Sequence, residues 1–142
     1  MIGNGIDIDM DSKPDSCIFS KVTLCTAECF GLLSEVWQCI SGTEKKVICN
    51  HLGMINFVDF NNLSNEQLRI LGIPPTEGGA TGERDGKCIV RIDLSRSDEI
   101  IKISIAHELA HVFFNHPVNK TDVSTAEADA KNKAREWGYE WE

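Results

Sequence analysis

No stretch of this 142-residue sequence is apolar over the roughly 20 residues that a membrane-spanning helix needs. Its opening segment, MIGNGIDIDMDSKPDS, also lacks the basic and apolar regions of a secretory signal peptide. Basic residues are a minority, with 14 Lys and Arg against 22 Asp and Glu, and the formal net charge is -8. Because phosphate backbones attract basic surfaces, direct binding to nucleic acid is not expected. The sequence therefore predicts a cytoplasmic protein that neither crosses a membrane nor contacts nucleic acid directly.

The six cysteines include no C-x-x-C pair, and without a signal peptide a secreted disulfide framework is not expected. We predict reduced thiols that are buried among apolar side chains. A structural zinc site built from Cys25, Cys29, Cys39 and Cys49 is the alternative, since thiolates are common zinc ligands.

The composition favours one globular domain. Apolar residues make up 42% of the sequence and charged residues 25%, as in ordinary domains with a single core. No internal repeat and no domain boundary is evident after the acidic start. Residues 1–16 are predicted to form a flexible acidic arm, and residues 17–142 a single domain.

Apolar periodicity predicts an α+β fold. A stripe at three- and four-residue steps from Ile18 to Ile40 predicts one long N-terminal helix. β-branched residues predict a strand over Lys87–Leu94, with less regular strands over Met54–Phe60 and Val47–Cys49. The glycine-rich segment Thr76–Gly86 is interpreted as a mobile loop or a flap beside a substrate. The strands are expected to form one small sheet.

Two further helices are predicted around these strands. Ser64 and Gln67 fit a capping box that opens a short helix through Leu71. A C-terminal helix is predicted from about Thr125 to Tyr139, with an apolar stripe of alanines.

The motif His107-Glu108-Leu109-Ala110-His111 is the strongest chemical signal in the chain. On a helix, residues four apart share a face, so both imidazoles can reach one ion. Glu108 lies about 100° around the helix from His107, within reach of a water molecule at that ion. Two neutral nitrogen ligands, an open coordination position and a carboxylate base are what a zinc hydrolase requires. The motif therefore predicts a zinc site with Glu108 as the general base.

The motif lies within IIKISIAHELAHVFF, which predicts a buried helix that is apolar on nearly all sides. A narrow polar strip interrupts its apolar surface and consists of Ser104, His107, Glu108 and His111. Buried polar groups require partners, and a metal ion supplies one. The alternative is a pair of core histidines and a glutamate that are satisfied by hydrogen bonds alone.

A catalytic zinc site usually has three protein ligands, so a third must lie elsewhere in the chain. The metzincin continuation is absent, because Phe114 and Pro117 occupy the positions of its glycine and third histidine. On the C-terminal helix, Glu127 projects closer than Asp129 to the apolar stripe and is the predicted ligand. The alternative role of Glu127 is a capping box with Ser124.

The segment HELAHVFFNH, followed by a helix containing AEADA, resembles the minimal metalloproteases of the ImmA/IrrE group, whose metal site is of the gluzincin type. The resemblance covers roughly Cys88–Trp137, including the strand and helix that precede the motif. It implies a zincin-like domain in which His107, His111 and Glu127 hold zinc and Glu108 acts as the base. Proteins of this group are common in phage and mobile-element regions.

The predicted function is a zinc-dependent metallopeptidase acting on a protein or peptide substrate. Strand Lys87–Leu94 is expected to pair with the extended substrate by edge addition. No clear second oxyanion donor is evident beyond Tyr139 and His116. One alternative is a non-catalytic, zinc-stabilised module that binds a regulatory protein. Another is a hydrolase of a non-peptide amide, as in deformylases, in which Cys88 would be an additional ligand.

Overall fold

The computed structural model describes residues 18–23, 26–71 and 78–140. The predicted acidic arm and Cys25 therefore lie outside the described residues. In chain order the described elements are strand β1 (Val22–Thr23), helices α1 (Ala27–Gln38) and α2 (Gly42–His51), strand β2 (Leu52–Val58), a 3-10 turn (Phe60–Asn62), helix α3 (Asn65–Leu71), strands β3 (Gly79–Arg84) and β4 (Lys87–Asp93), and helices α4 (Asp98–Phe114), α5 (His116–Asn119) and α6 (Val123–Glu136).

The described strands form one mixed sheet in the order β1-β2-β4-β3. Strands β1 and β2 are parallel, as are β2 and β4, whereas β3 and β4 form an antiparallel hairpin. The hairpin turns at Asp85 and Gly86, which have φ angles of 54° and 82°. Positive φ at both central residues is the geometry that an Asp-Gly pair favours between two strands. In this strand order β3 lies at an edge of the sheet, whereas β4 is paired on both sides.

Helix α4 occupies the centre of the core. Strands β3 and β4 contact it from one side, and helices α1, α2 and α6 pack around it elsewhere. A second, smaller cluster around Phe60 and Leu68 covers the opposite face of the sheet, because successive strand residues point to opposite faces. Within the described ranges, no helix combines the length and apolarity that crossing a bilayer requires. The architecture is thus a small α+β domain, as predicted.

The single long helix predicted from Ile18 to Ile40 is wrong. Val22 and Thr23 instead pair with Ile55 and Asn56 in the sheet. Helix α1 begins only after Thr26, whose side chain accepts a hydrogen bond from the Cys29 backbone. The apolar stripe still marks the core, because its members Ile18, Cys29, Leu32, Val36 and Ile40 are all buried. Apolar spacing identified the inward face but not the break, which depends on pairing with a distant strand.

Two other local predictions are corrected. Val47–Cys49 is not a strand but part of α2, which Ser41 and Glu44 open with a capping box. The described part of Thr76–Gly86 is not a loop, since Gly79–Arg84 forms strand β3. Strand β4 and the capping box of Ser64 and Gln67 at α3 are confirmed.

Glu44 ties α2 to the C-terminal helix. Its carboxylate accepts hydrogen bonds from Lys133 Nζ at 2.8 Å and from Trp137 Nε1 at 3.1 Å. The Ser41 hydroxyl donates a third at 2.9 Å. Burial by itself raises the pKa of Glu44, but the hydrogen bonds outweigh it and lower the pKa from 4.5 to about 2. The folded state therefore favours the ionised form of the Glu44 carboxylate.

Replacing Glu44 with Gln is expected to lower the free energy of unfolding of the metal-free protein by on the order of 2 kcal/mol at neutral pH, allowing for partial solvent screening. Because the folded-state pKa lies below the ordinary value, the stabilisation is complete above pH 4.5 and is lost as the pH falls through about 2. Urea unfolding of both proteins across this range should show the two stabilities converging at low pH.

Glu136→Gln is a matched control for this change. Glu136 contacts the same Lys133 ammonium at 2.9 Å, but its side chain is 64% exposed. Exposed ion pairs contribute little, so we expect a loss below about 1 kcal/mol. Equal losses in the two variants would contradict the assignment of Glu44 as the link between the helices.

Candidate metal centre

Helix α4 presents the predicted motif from inside the core. Ser97 caps its first turn, where Asp98 and Glu99 add negative charge near the positive end of the helix dipole. The helix ends at Asn115, which adopts the left-handed conformation. His107 and Glu108 are each 5% exposed and His111 is 7% exposed. The polar strip predicted on this apolar helix is therefore buried and requires partners.

Helix α6 brings Glu127 to this strip. Asp122, not Ser124, caps the helix by accepting a hydrogen bond from the Thr125 backbone. The alternative capping box of Ser124 and Glu127 is therefore wrong, because Ser124 already lies inside the helix. The alanines of the apolar stripe are buried beside α4, namely Ala126, Ala130 and Ala134. This packing turns Glu127 toward the two histidines.

Three side chains converge at one point between α4 and α6. Glu127 Oε1 lies 3.0 Å from His107 Nε2, and Glu127 Oε2 lies 3.0 Å from His111 Nε2. One ligand atom from each residue lies within 4.8 Å of the others. Among the described residues, this is the one group of three or more His, Cys, Asp or Glu side chains that could hold a metal ion.

The electrostatic state of His111 suits cation binding. Burial lowers its pKa most, the charge of His107 lowers it further and Glu127 opposes both, which leaves the pKa at about 4 instead of 6.5. His111 is therefore uncharged at neutral pH, and a neutral imidazole has a lone pair to offer.

Glu108 faces a different neighbour, the edge strand β3. The Thr81 hydroxyl donates a hydrogen bond of 2.6 Å to Glu108 Oε1. This contact holds the carboxylate beside, and not inside, the group of three possible ligands. Sequence reasoning missed Thr81 because its segment was interpreted as a loop. The Asp-Gly turn between two alternating segments was the signal for a hairpin there.

Glycines allow β3 to approach α4 this closely. A Cβ atom at Gly79 would lie 3.0 Å from Glu108 Cγ and 2.9 Å from the Arg91 carbonyl oxygen. A Cβ atom at Gly78 would collide with the Ser104 hydroxyl. The close backbone approach therefore explains both glycines, and it places Thr81 in contact with the motif.

A cleft of about 500 Å³ opens over these groups. The motif side chains line it together with Glu127, and Gly79–Thr81 of β3 forms one side. Pro117, Lys120 and Val123 contribute to the surrounding surface. The possible metal ligands are thus accessible from a space large enough for part of a peptide chain.

Several other predicted candidates lie outside this group of ligands. Cys88 is fully buried, its thiol donates to Asn115 Oδ1 at 3.4 Å, and burial raises its pKa to about 11. It is therefore a core thiol and not the additional ligand of a deformylase-like site. Tyr139 does not line the cleft, since its hydroxyl lies 3.9 Å from Cys39 Sγ. Within the described ranges, the cysteines form no metal-binding group.

The remaining histidines make specific contacts. His51 is the last residue of α2, and its Nδ1 lies 2.9 Å from the Val112 carbonyl oxygen. His116 lines the cleft and contacts His111. Asp129 contacts His116 and not the candidate metal position.

Comparisons with known proteins identify no relative: no protein-family model, no curated protein and no solved structure matches this chain.

Proposed function

We propose that this protein is a zinc-dependent peptidase. The observation that carries the proposal is the convergence of His107, His111 and Glu127 beside a separate buried carboxylate, Glu108, in an open cleft. This arrangement supports the resemblance to ImmA/IrrE-type metalloproteases, which is itself part of the proposal.

The donor set suits zinc. Two imidazole nitrogens and one carboxylate, with a fourth position left for water or substrate, are typical of catalytic zinc sites. Two ligands bonded tetrahedrally to one zinc ion are separated by about 3.3 Å. The two His–Glu distances of 3.0 Å, each to a different carboxylate oxygen, are close to that spacing, and one ligand atom from each of the three residues lies within 4.8 Å of the others. A bound zinc ion would supply Lewis acidity that activates water at neutral pH and polarises a carbonyl group.

Glu108 would act as the general base. Thr81 donates to one carboxylate oxygen and thereby fixes its orientation toward the cleft. In peptide hydrolysis, Glu108 would accept a proton from the attacking water and pass it to the leaving amine. The carboxylate starts and ends this cycle ionised, so one residue serves both proton transfers.

The edge strand offers a binding site for an extended peptide. The prediction that Lys87–Leu94 would pair with substrate is wrong, because β4 is already paired with β2 and β3 on its two sides. Strand β3 is at the sheet edge instead, and its residues Gly79–Thr81 line the cleft. An added peptide strand along β3 would pass beside Glu108.

A peptide mixture from a digested cell lysate tests the proposal. The protein is stripped with a chelator, and one half is reloaded with one equivalent of zinc. Mass spectrometry should find new peptide termini with the reloaded protein and not with the stripped protein. Zinc binding without any new termini would overturn the peptidase proposal and favour the non-catalytic binding module.

A further inference from the structure

His111 has a second contact on the ring nitrogen opposite Glu127. Its Nδ1 lies 2.9 Å from Nδ1 of His116, and Nε2 of His116 lies 3.3 Å from Oδ2 of Asp129. His116 is 6% exposed, so this contact is shielded from solvent. We call the three side chains the His111–His116–Asp129 row.

The backbone conformation of Asn115 brings the side chains of this row together. Asn115 ends α4 in the left-handed region, at φ 57° and ψ 37°, which asparagine tolerates better than most residues. The chain turns back at that point, and His116 begins α5 beside His111 instead of continuing the helix. The Phe114 ring stacks on the His116 ring, with centroids 5.2 Å apart and planes 21° apart. The His116 ring is therefore held by Phe114 on one face and by His111 and Asp129 at its two nitrogens.

The donor and acceptor roles in the row can be assigned from Asp129 inward for an ionised carboxylate and a neutral His116 ring. An ionised carboxylate only accepts, so Nε2 of His116 must carry a hydrogen. A neutral His116 then has its lone pair on Nδ1, and His111 must donate to it from Nδ1–H. The lone pair of His111 is left on Nε2, which lies 3.0 Å from Glu127 Oε2. That lone pair and the carboxylate repel each other unless a cation lies between them.

We propose that His116 and Asp129 are positioning residues that hold His111 in the tautomer that binds the metal. They act through His111 and do not touch the substrate. Both nitrogens of His116 are occupied by this task, so His116 is not the oxyanion donor considered from the sequence. The inference rests on the zinc-binding part of the proposed function and is independent of whether peptides are cleaved.

Loss of the row should weaken zinc binding without removing a ligand. Hydrogen-bond partners of metal-binding histidines typically contribute about 10- to 100-fold in metal affinity. His116→Phe removes both nitrogens but keeps an aromatic ring to stack on Phe114. We expect its zinc dissociation constant to rise by about 10- to 100-fold. His116→Asn keeps an acceptor oxygen near the position of Nδ1 and should recover most of that loss.

The zinc dissociation constants are measured at one neutral pH by competition with a chromophoric chelator. Asp129→Asn, at a side chain that is 42% exposed, should weaken zinc binding in the same direction as His116→Phe. Glu136→Gln on the same helix is the control and should leave affinity unchanged. Long-range proton–nitrogen NMR spectra of the zinc-loaded wild type should show His111 protonated on Nδ1 and His116 on Nε2.

The outcomes separate this inference from the proposed function. A wild type that binds no zinc would overturn both. A wild type that binds zinc, with unchanged affinity in His116→Phe and Asp129→Asn, would overturn the row alone. The NMR tautomers test it even if His116→Phe fails to fold, and His111 protonated on Nε2 would refute it.

Discussion

Glu108→Gln is expected to retain zinc and the fold while lowering peptide cleavage by about 10²–10⁴-fold, the usual contribution of general acid–base catalysis. Gln fills almost the same space, and its carbonyl oxygen can still accept the hydrogen bond from Thr81. It has no basic oxygen to receive the proton of water. The effect should therefore fall on turnover and not on stability. Cleavage rates of wild type and variant are compared at equal zinc occupancy.

Thr81→Val is the companion variant. It removes the hydroxyl that donates to Glu108 at 2.6 Å but leaves the base in place. Its loss of turnover should be smaller than that of Glu108→Gln, because the position of the base is impaired and proton transfer is not.

Equal cleavage rates for wild type and Glu108→Gln would remove Glu108 from the mechanism. A stability change in Glu108→Gln with no separate effect on turnover would indicate a purely structural role.

The core of the candidate site could be predicted because it depends on local helix geometry. His107 and His111 share a face of α4 by their spacing alone. Glu127 followed from the apolar stripe of α6, since docking that stripe on α4 leaves Glu127 at the boundary between the helices. Alternation and β-branched residues likewise predicted β4 to within one residue of its observed end.

The rest of the site depends on contacts between distant segments. Helical spacing would place His116 away from the ligand face of α4, but the chain turns at the left-handed Asn115, so angles counted along α4 do not apply beyond that residue. Thr81 reaches Glu108 only because Gly78 and Gly79 let β3 pass close to α4. β1 depends on pairing with β2, and the apolar stripe of the predicted long helix carries no information about that pairing.

The second large effect is expected at Glu127. Glu127→Ala removes one of three predicted ligands, and its cost should exceed the roughly 10- to 100-fold cost of losing an outer hydrogen-bond partner. The zinc dissociation constant should therefore rise by more than about 100-fold, further than in Asp129→Asn. The two carboxylates lie two residues apart on one helix, so the comparison holds helix position and net charge change nearly constant. Competition titrations with a chelator give both values.

The ranking of these variants decides which carboxylate binds the ion. His111→Ala should lose zinc as Glu127→Ala does, because each removes a side chain from the same group of three. Retention of zinc by Glu127→Ala together with its loss in Asp129→Asn would reverse the assignment of the two residues. Retention by both His111→Ala and Glu127→Ala would mean that the ion binds elsewhere. Hydrogen bonds alone would then explain the buried histidines, and this outcome would contradict the metallopeptidase proposal.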